Sequence, residues 1–236
     1  MNMHLLNSGP VSSPAMQGGT PNPCLASGEV LDHESGPVRA FVEKALRGVP
    51  DGSRLQAIAL YYAVRDGIFY EIFGSNVGPD LSASASIREG RGFCLHKAII
   101  YAAACRSAGI PCRLLATTVR NHISSPAIAA LVGGDIFLHW YNEVQLDGDW
   151  LKVAPVFNAL TCRLYGIKPL EFTGHLNAVE QPYHDGNSMV FLSPPVHFDN
   201  PWRAELLDLV RAHHPKMIDP QGRVPREIDI RTRIPG

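Results

Sequence analysis

The chain has 236 residues, of which 45% are hydrophobic and 18% charged, and this is enough to bury one sizeable core. Its formal net charge of −1 gives no reason to expect nucleic acid or an acidic membrane surface as a partner. No apolar stretch is long enough to cross a bilayer, the N-terminus lacks the pattern of an export signal, and the five cysteines are an odd number. These features predict a cytoplasmic protein with free thiols.

Along the chain, most predicted helices come before most predicted strands. Residues 1–36 are rich in Gly, Pro and Ser and predict a flexible leader, followed by one folded domain over 37–214 and a tail over 215–236. Helices are predicted over residues 37–46, 53–67, 94–108 and 202–213, with a brief one between 125 and 133. Strands are predicted over 113–119, 136–146 and 150–153, near 171 and over 189–192. This order is typical of an α+β fold, in which a helix packs against an antiparallel sheet.

Cys94 stands where a glycine-containing loop turns into a predicted helix. The amides of a first helical turn have no intrahelical acceptor, and the helix dipole adds positive potential there. Both effects favour a thiolate, which is the nucleophilic form, and the same N–H groups could donate to an oxyanion. Position alone is equally consistent with a small buried cysteine that has no chemical role.

A thiol nucleophile also needs a base, which is usually a histidine. His96 lies two residues beyond Cys94, on a different helix face, and is predicted to be exposed or structural. His122 follows a strand in a polar loop and is predicted to be solvated. His139 lies within an apolar strand, where a lone histidine is more often a core residue than a catalyst.

A metal site is the competing interpretation of the same residues. Cys94, His96, Cys105 and Cys112 offer soft ligands, but they form no CxxC or HxxxH pair. No calcium-binding loop is legible either. We therefore predict neither a metal nor another cofactor.

Several segments occur in a recognisable order. Gly92-Phe93-Cys94 opens an Ala-rich helix that ends in Ala-Gly-Ile-Pro at 108–111, and Val-Arg-Asn-His follows at 119–122. A His-Trp-Tyr-Asn-Glu-Val run at 139–144 then leads into a hairpin that turns at Asp147-Gly148. In this order the segments resemble the transglutaminase-like superfamily, particularly its compact bacterial members, over residues 90–174. Residues 91–94 are also similar to arylamine N-acetyltransferases, which are more distant relatives.

The resemblance implies a papain-like α+β fold in which Cys94 is the nucleophile and His139 its base. The third catalytic residue of that family is typically an Asp fifteen positions after the His, where this chain has Ala154. Asn158 is the nearest downstream polar residue of matching strand parity and is the candidate for the third role. Its alternative is the N-cap of a short helix near residues 160–164.

Asp135 and Asn142 are weaker candidates for the group that orients His139. A Cys–His pair tolerates the missing acid better than a Ser-type triad, because a thiol ionises far more readily than a hydroxyl.

Two functions follow from this interpretation. The first is a cysteine-dependent acyl enzyme of transglutaminase-like type, with residues 37–214 as its catalytic domain. It would be a peptidase or amidase, or an amide-forming acyltransferase, acting on a peptide, a protein or a small amide or acyl substrate. The alternative is a catalytically degenerate, transglutaminase-like module that binds peptides, for which the missing Asp is the main argument.

Overall fold

The structure, a computed structural model, describes residues 22–120, 126–183, 186–220 and 222–226. A short 3₁₀ turn at Pro23–Leu25 precedes the first helix. The helices, in chain order, are α1 (Gly36–Leu46), α2 (Ser53–Gly67), α3 (Ala83–Glu89), α4 (Cys94–Ser107), α5 (Pro126–Val132), α6 (Ala159–Tyr165) and α7 (Arg203–His213).

The strands form two sheets. β1 and β2 are a short parallel pair, and the larger sheet has the order β5-β4-β3-β6, with β7 also paired to β3. All pairings in the larger sheet are antiparallel. The strands are β1 (Phe69–Tyr70), β2 (Arg91–Gly92), β3 (Cys112–Arg120), β4 (Ile136–Leu146), β5 (Asp149–Val153), β6 (Val190–Phe191) and β7 (Val196–Phe198).

Helix α4 lies at the centre of the core. Every residue from Cys94 to Arg106 is buried, including the charged Lys97 and Arg106, as expected of a helix that is surrounded by protein. It contacts the first three helices together with β3 and β4, and Asn142 of β4 donates from Nδ2 to the Ala98 carbonyl oxygen at 3.0 Å. The predicted α+β class, with the Cys94 helix packed on an antiparallel sheet, is confirmed.

A lysine on this helix is buried beneath the end of α2. Lys97 has no exposed surface, and its Nζ donates to the carbonyl oxygens of Arg65 at 2.8 Å and Ile68 at 2.7 Å. The last carbonyl groups of a helix have no intrahelical donors, so an amine placed there satisfies them. Burial lowers the pKa of Lys97 to about 7.

The predicted strand near residue 171 is wrong, because residues 167–177 contain no strand. Side chains of α2 bind this segment instead of a neighbouring strand. Tyr61 and Arg65 both donate to the carbonyl oxygen of Leu170, at 2.9 and 2.8 Å, and Arg65 also pairs with Glu171. At the start of α2, the N-cap residue is Gly52, and no side chain caps the helix there.

Residues near both predicted termini of the domain pack onto it. Val30 and Leu31, within the segment predicted to be a leader, have no exposed surface, and Met217 and Ile218 of the predicted tail are buried. Residues 222–226 pair with residues 74–77 through backbone hydrogen bonds. The domain boundaries at 36 and 214 stay predictions. Within the described ranges, none of the helices is both long and apolar enough to cross a membrane.

Candidate active site

Cys94 is the first residue of α4, and the turn before it depends on Gly92. A Cβ at Gly92 would lie 2.6 Å from the Cβ and Cγ of His96, so only glycine lets the loop lie against the first turn of the helix. The amides of Cys94 and Leu95 favour the thiolate at this position. Cys94 itself is 8% exposed.

The edge of β4 supplies a further amide. β5 pairs with β4 only from Asn142 to Leu146, so the N–H groups that precede this stretch on the same edge have no strand partner there. The Leu138 N–H donates to Nε2 of His214 at 2.9 Å. The Trp140 N–H is directed at the Cys94 thiol, where it favours the ionised form. The nucleophile candidate therefore lies beside the sheet edge, one residue along from His139.

Burial acts on the pKa of the Cys94 thiol in the opposite direction to these amides, and its effect is the larger one. It raises the pKa of the Cys94 thiol to about 11, although the amides of Trp140, Leu95 and Cys94 act in the lowering direction. Burial also lowers the pKa of His139 to about 4. At neutral pH the site in this conformation therefore holds a neutral thiol and a neutral imidazole.

His139 is 5% exposed and lies among aromatic side chains. Its ring stacks on Tyr141 with centroids 6.1 Å apart and meets the Phe191 ring edge-on at 6.3 Å. Its Nε2 has no hydrogen-bond partner among the described residues, and within that part of the chain no hydrogen bond joins the imidazole to Cys94. The structure thus brings the thiol to the backbone beside His139 without linking the two side chains.

The position of the family's Asp is filled by Ala154, directly after β5. Ala154 is 4% exposed, and its N–H donates to the Ala178 carbonyl oxygen at 2.8 Å. Val153 pairs with Asn142, so an extension of this register would place residue 154 opposite Tyr141, on the same face of the sheet as His139.

Asn158 lies at the N-cap position of α6, as its alternative interpretation predicted, but its side chain does not cap the helix. The Oδ1 of Asn158 accepts a hydrogen bond from the Thr161 hydroxyl. The cap comes from Asp66, whose Oδ1 accepts from the Ala159 N–H at 2.9 Å. The Asn158 side-chain oxygen is therefore bound to Thr161 and not to His139.

The two weaker candidates have other contacts. Asp135 is exposed and pairs with Arg120 at 3.2 Å. Asn142 faces α4, where its Nδ2 contacts Ala98, and its Oδ1 is buried with no partner among the described residues.

The remaining histidines are placed as follows. His96 is buried rather than exposed, and its Nε2 lies 2.9 Å from the Asn76 carbonyl oxygen. His122 lies outside the described residues. In the described ranges, no group of three or more His, Cys, Asp and Glu side chains is placed to hold a metal ion.

A small cavity of about 30 Å³, large enough to hold a water molecule, adjoins the Cys94 thiol. Sequence reasoning missed two of the polar residues that line it, Tyr70 and His214. Tyr70 belongs to β1, and burial raises its pKa well above the usual value. No pattern around His214 signals a place beside Cys94. The other lining residues are mostly apolar: Ile72, Phe93, Val132, Phe137, Leu138, Trp140, Val210 and Met217.

Residues 39–155 match the Transglut_core family model, which describes the transglutaminase-like superfamily. No curated protein sequence matches the chain significantly.

Three solved structures are similar to part of this chain. A proposed cysteine protease from Cytophaga hutchinsonii has a TM-score of 0.45 and 16% identity, over 79% of this chain and 56% of that one. The periplasmic domain of TgpA from Pseudomonas aeruginosa, bound to ethylmercury, has a TM-score of 0.37 and 19% identity, over 56% and 46%. A structure described as a TGase has a TM-score of 0.37 and 15% identity, over 52% and 31%. The chain thus spans between about a third and just over half of their lengths.

Proposed function

Because residues 39–155 belong to the transglutaminase-like superfamily, we propose that this chain is a cysteine-dependent acyl enzyme whose nucleophile is Cys94. The observation that carries the proposal is the position of the Cys94 thiol. It lies at the start of α4 and next to the amides of Cys94, Leu95 and Trp140. Such amides stabilise a thiolate before attack and an oxyanion after it.

In the proposed reaction His139 moves the protons. The imidazole accepts the thiol proton as the sulfur of Cys94 bonds to an amide carbonyl carbon. It then donates this proton to the departing amine as the C–N bond breaks, which leaves a thioester on Cys94. Attack by water yields an acid and makes the enzyme a peptidase or amidase. Attack by a second amine yields a new amide and makes it an acyltransferase.

The proposed machinery is a Cys–His dyad. A third residue would have to orient the His139 ring, and Ala154 cannot do so. Asn158, the predicted third residue, would first have to release the Thr161 hydroxyl that its oxygen binds. Replacement of Asn158 by Ala should therefore affect α6 more than turnover.

We propose a peptide, protein or small amide as the substrate, in a reducing compartment such as the cytoplasm. The five cysteines support the compartment, because all of them are free thiols. The chemistry requires only a carbonyl carbon within reach of Cys94, so the acyl acceptor defines which of the two reactions occurs.

Iodoacetamide labelling with peptide mass mapping tests the nucleophile. Cys94 is 8% exposed and the other four cysteines are 0–5% exposed, so Cys94 should label first. Its raised pKa predicts a rate that climbs about tenfold per pH unit between pH 7 and 10. The Cys94→Ala variant should lack this fast-labelling site and all activity. Full turnover by that variant on any substrate would contradict the proposal.

The peptide-binding module is the second candidate, and Ala154 favours it. A module of this kind should bind peptides with the same affinity in the wild type and in Cys94→Ala, with no thioester in either. Mass spectrometry of the protein after incubation with activated acyl esters separates the two candidates, because only the enzyme gains an acyl group on Cys94.

A further inference from the structure

A second cavity, of about 1020 Å³, lies close to the small one at Cys94. Tyr70 and Ile72 line the small cavity, whereas Glu71 and Phe73 line the large one. Alternate residues of this segment thus face the two spaces, and a single layer of chain separates them. The large cavity has the volume of an ordinary ligand site.

One wall of the large cavity is built by residues 222–226. The N–H of Gly74 donates to the Pro225 carbonyl oxygen at 3.0 Å, and the Val224 N–H donates to the Ser75 carbonyl oxygen at 2.9 Å. Asn76 and Arg223 form an antiparallel bridge, which lies between the bond from Val224 to Ser75 and a bond from the Val77 N–H to the Gly222 carbonyl oxygen at 2.8 Å. This main-chain pairing along an edge is the way in which many proteins hold an extended peptide.

The residues just before this wall cover Cys94. His214 and Met217 line the Cys94 cavity and are buried. His214 attaches the segment at two points, because its Nε2 accepts from the Leu138 N–H and its Nδ1 lies 3.0 Å from the Val132 carbonyl oxygen. The Met217 N–H donates to the His214 carbonyl oxygen at 2.9 Å, which holds the methionine over the cavity.

We infer that residues 214–220 and 222–226, the C-terminal strap, are an autoinhibitory segment that occupies an extended-peptide site along residues 74–77 and closes access to Cys94. The identity of that site as a substrate site rests on the proposed function, whereas the occlusion of the thiol does not. A substrate peptide would replace the strap along residues 74–77. Its arrival would then uncover the nucleophile.

Opening the strap is the first test. Gly222 has a φ of +80°, and a Cβ there would lie 2.7 Å from the Cα of Gly78, so Gly222→Ala should push the strap off its edge. Iodoacetamide should then label Cys94 at least about tenfold faster at pH 8, because access follows the open population. Gly48→Ala is the matched control, since Gly48 has a φ of +79° with nothing within 4 Å of its Cβ position. It should label at the wild-type rate.

Closing the strap is the second test. Asn76 and Arg223 are bridge partners, and partners of this kind lie within the Cα separation that a disulfide requires. The Asn76→Cys/Arg223→Cys pair, once oxidised, should label at Cys94 at least about tenfold more slowly than the wild type, and reduction should restore the rate.

Two results would overturn the inference. One is a folded Gly222→Ala protein in which Cys94 labels at the wild-type rate. The other is an oxidised Asn76→Cys/Arg223→Cys protein in which Cys94 labels at that same rate. Both readouts measure access to the thiol and not turnover. A chain that proves inactive on every substrate would therefore remove the proposed function and leave the strap result intact.

Discussion

Burial and the neighbouring amides shift the pKa of the Cys94 thiol in opposite directions, and the balance between them determines when the thiol can react. Burial raises its pKa to about 11, and the three amides around it act in the other direction. Water entering the cavity removes part of the desolvation and leaves the amides in place. The thiol is therefore almost entirely protonated at neutral pH in the closed conformation, and its pKa should fall when the site opens.

Ala154, at the position where the family typically has an Asp, offers a direct test of how His139 acts on Cys94. An ionised carboxylate in Ala154→Asp would lie on the sheet face of His139 and favour the imidazolium, which burial disfavours in the wild type. We expect iodoacetamide to label Cys94 at pH 7 at least about tenfold faster than in the wild type. Ala154→Asn has the same size without the charge and is the control. Equal rates in the two variants would show that residue 154 does not act on the dyad.

At the scale of the element, Lys97 links the end of α2 to the central helix. Its pKa is lowered to about 7 in the fold, so between pH 7 and 10.5 the unfolded chain binds the extra proton. The contribution of Lys97 to the free energy of unfolding therefore falls as pH drops through this window, by about 1.4 kcal/mol per pH unit. Urea unfolding at pH 7.5 and 9.5 should show this slope for the wild type relative to Lys97→Met. The exposed Lys44→Met should keep the wild-type slope, and a slope unchanged in Lys97→Met would contradict the assignment.

Long periodic elements could be predicted from the sequence, and short paired ones could not. The helices beginning at Ser53 and Cys94 and the hairpin over Ile136–Val153 carry their own patterns and turn residues. β7 has only three residues and exists because β3 offers it an edge, which no local pattern reports. The segment after Pro169 lacks a strand because Tyr61 and Arg65, more than a hundred positions earlier, bind its backbone.

At the scale of the whole molecule, three buried histidines make the fold sensitive to acid. Burial lowers the pKa of His96, His139 and His214, and for His139 the value is about 4. Between pH 6.5 and 4 the unfolded chain therefore binds more protons, and stability falls as the pH falls. His139 alone contributes a loss of about 3 kcal/mol across this window.

Chemical denaturation at pH 7 and pH 4.5 measures this effect. His139→Phe should lose less stability on acidification than the wild type, because the ring that must stay neutral is gone and the new one still packs on Tyr141 and Phe191. The exposed His175→Phe should behave like the wild type. An identical loss in all three proteins would place the acid sensitivity elsewhere.

In the candidate site, too, local sequence patterns could not predict contacts between segments that are far apart in the chain. Cys94 could be singled out from its loop and helix, and His139 from the order of the segments around it. His214 and Met217 lie more than a hundred positions beyond Cys94, and only the packing of the C-terminal strap brings them to the thiol. Hydrophobic periodicity describes which face of an element is buried but not which distant segment covers it.

The point where β5 stops accounts for the existence of the site. Continuing its register by two more residues would set Pro155 opposite Trp140, but β5 ends at Val153 and the next N–H, that of Ala154, donates to the Ala178 carbonyl oxygen at 2.8 Å. The Trp140 amide is thereby withheld from the sheet and left for the sulfur. The early end of β5 thus makes an interruption in the sheet chemically useful, because a strand that continued to residue 155 would offer its carbonyl oxygen to the same N–H donor that the thiol uses.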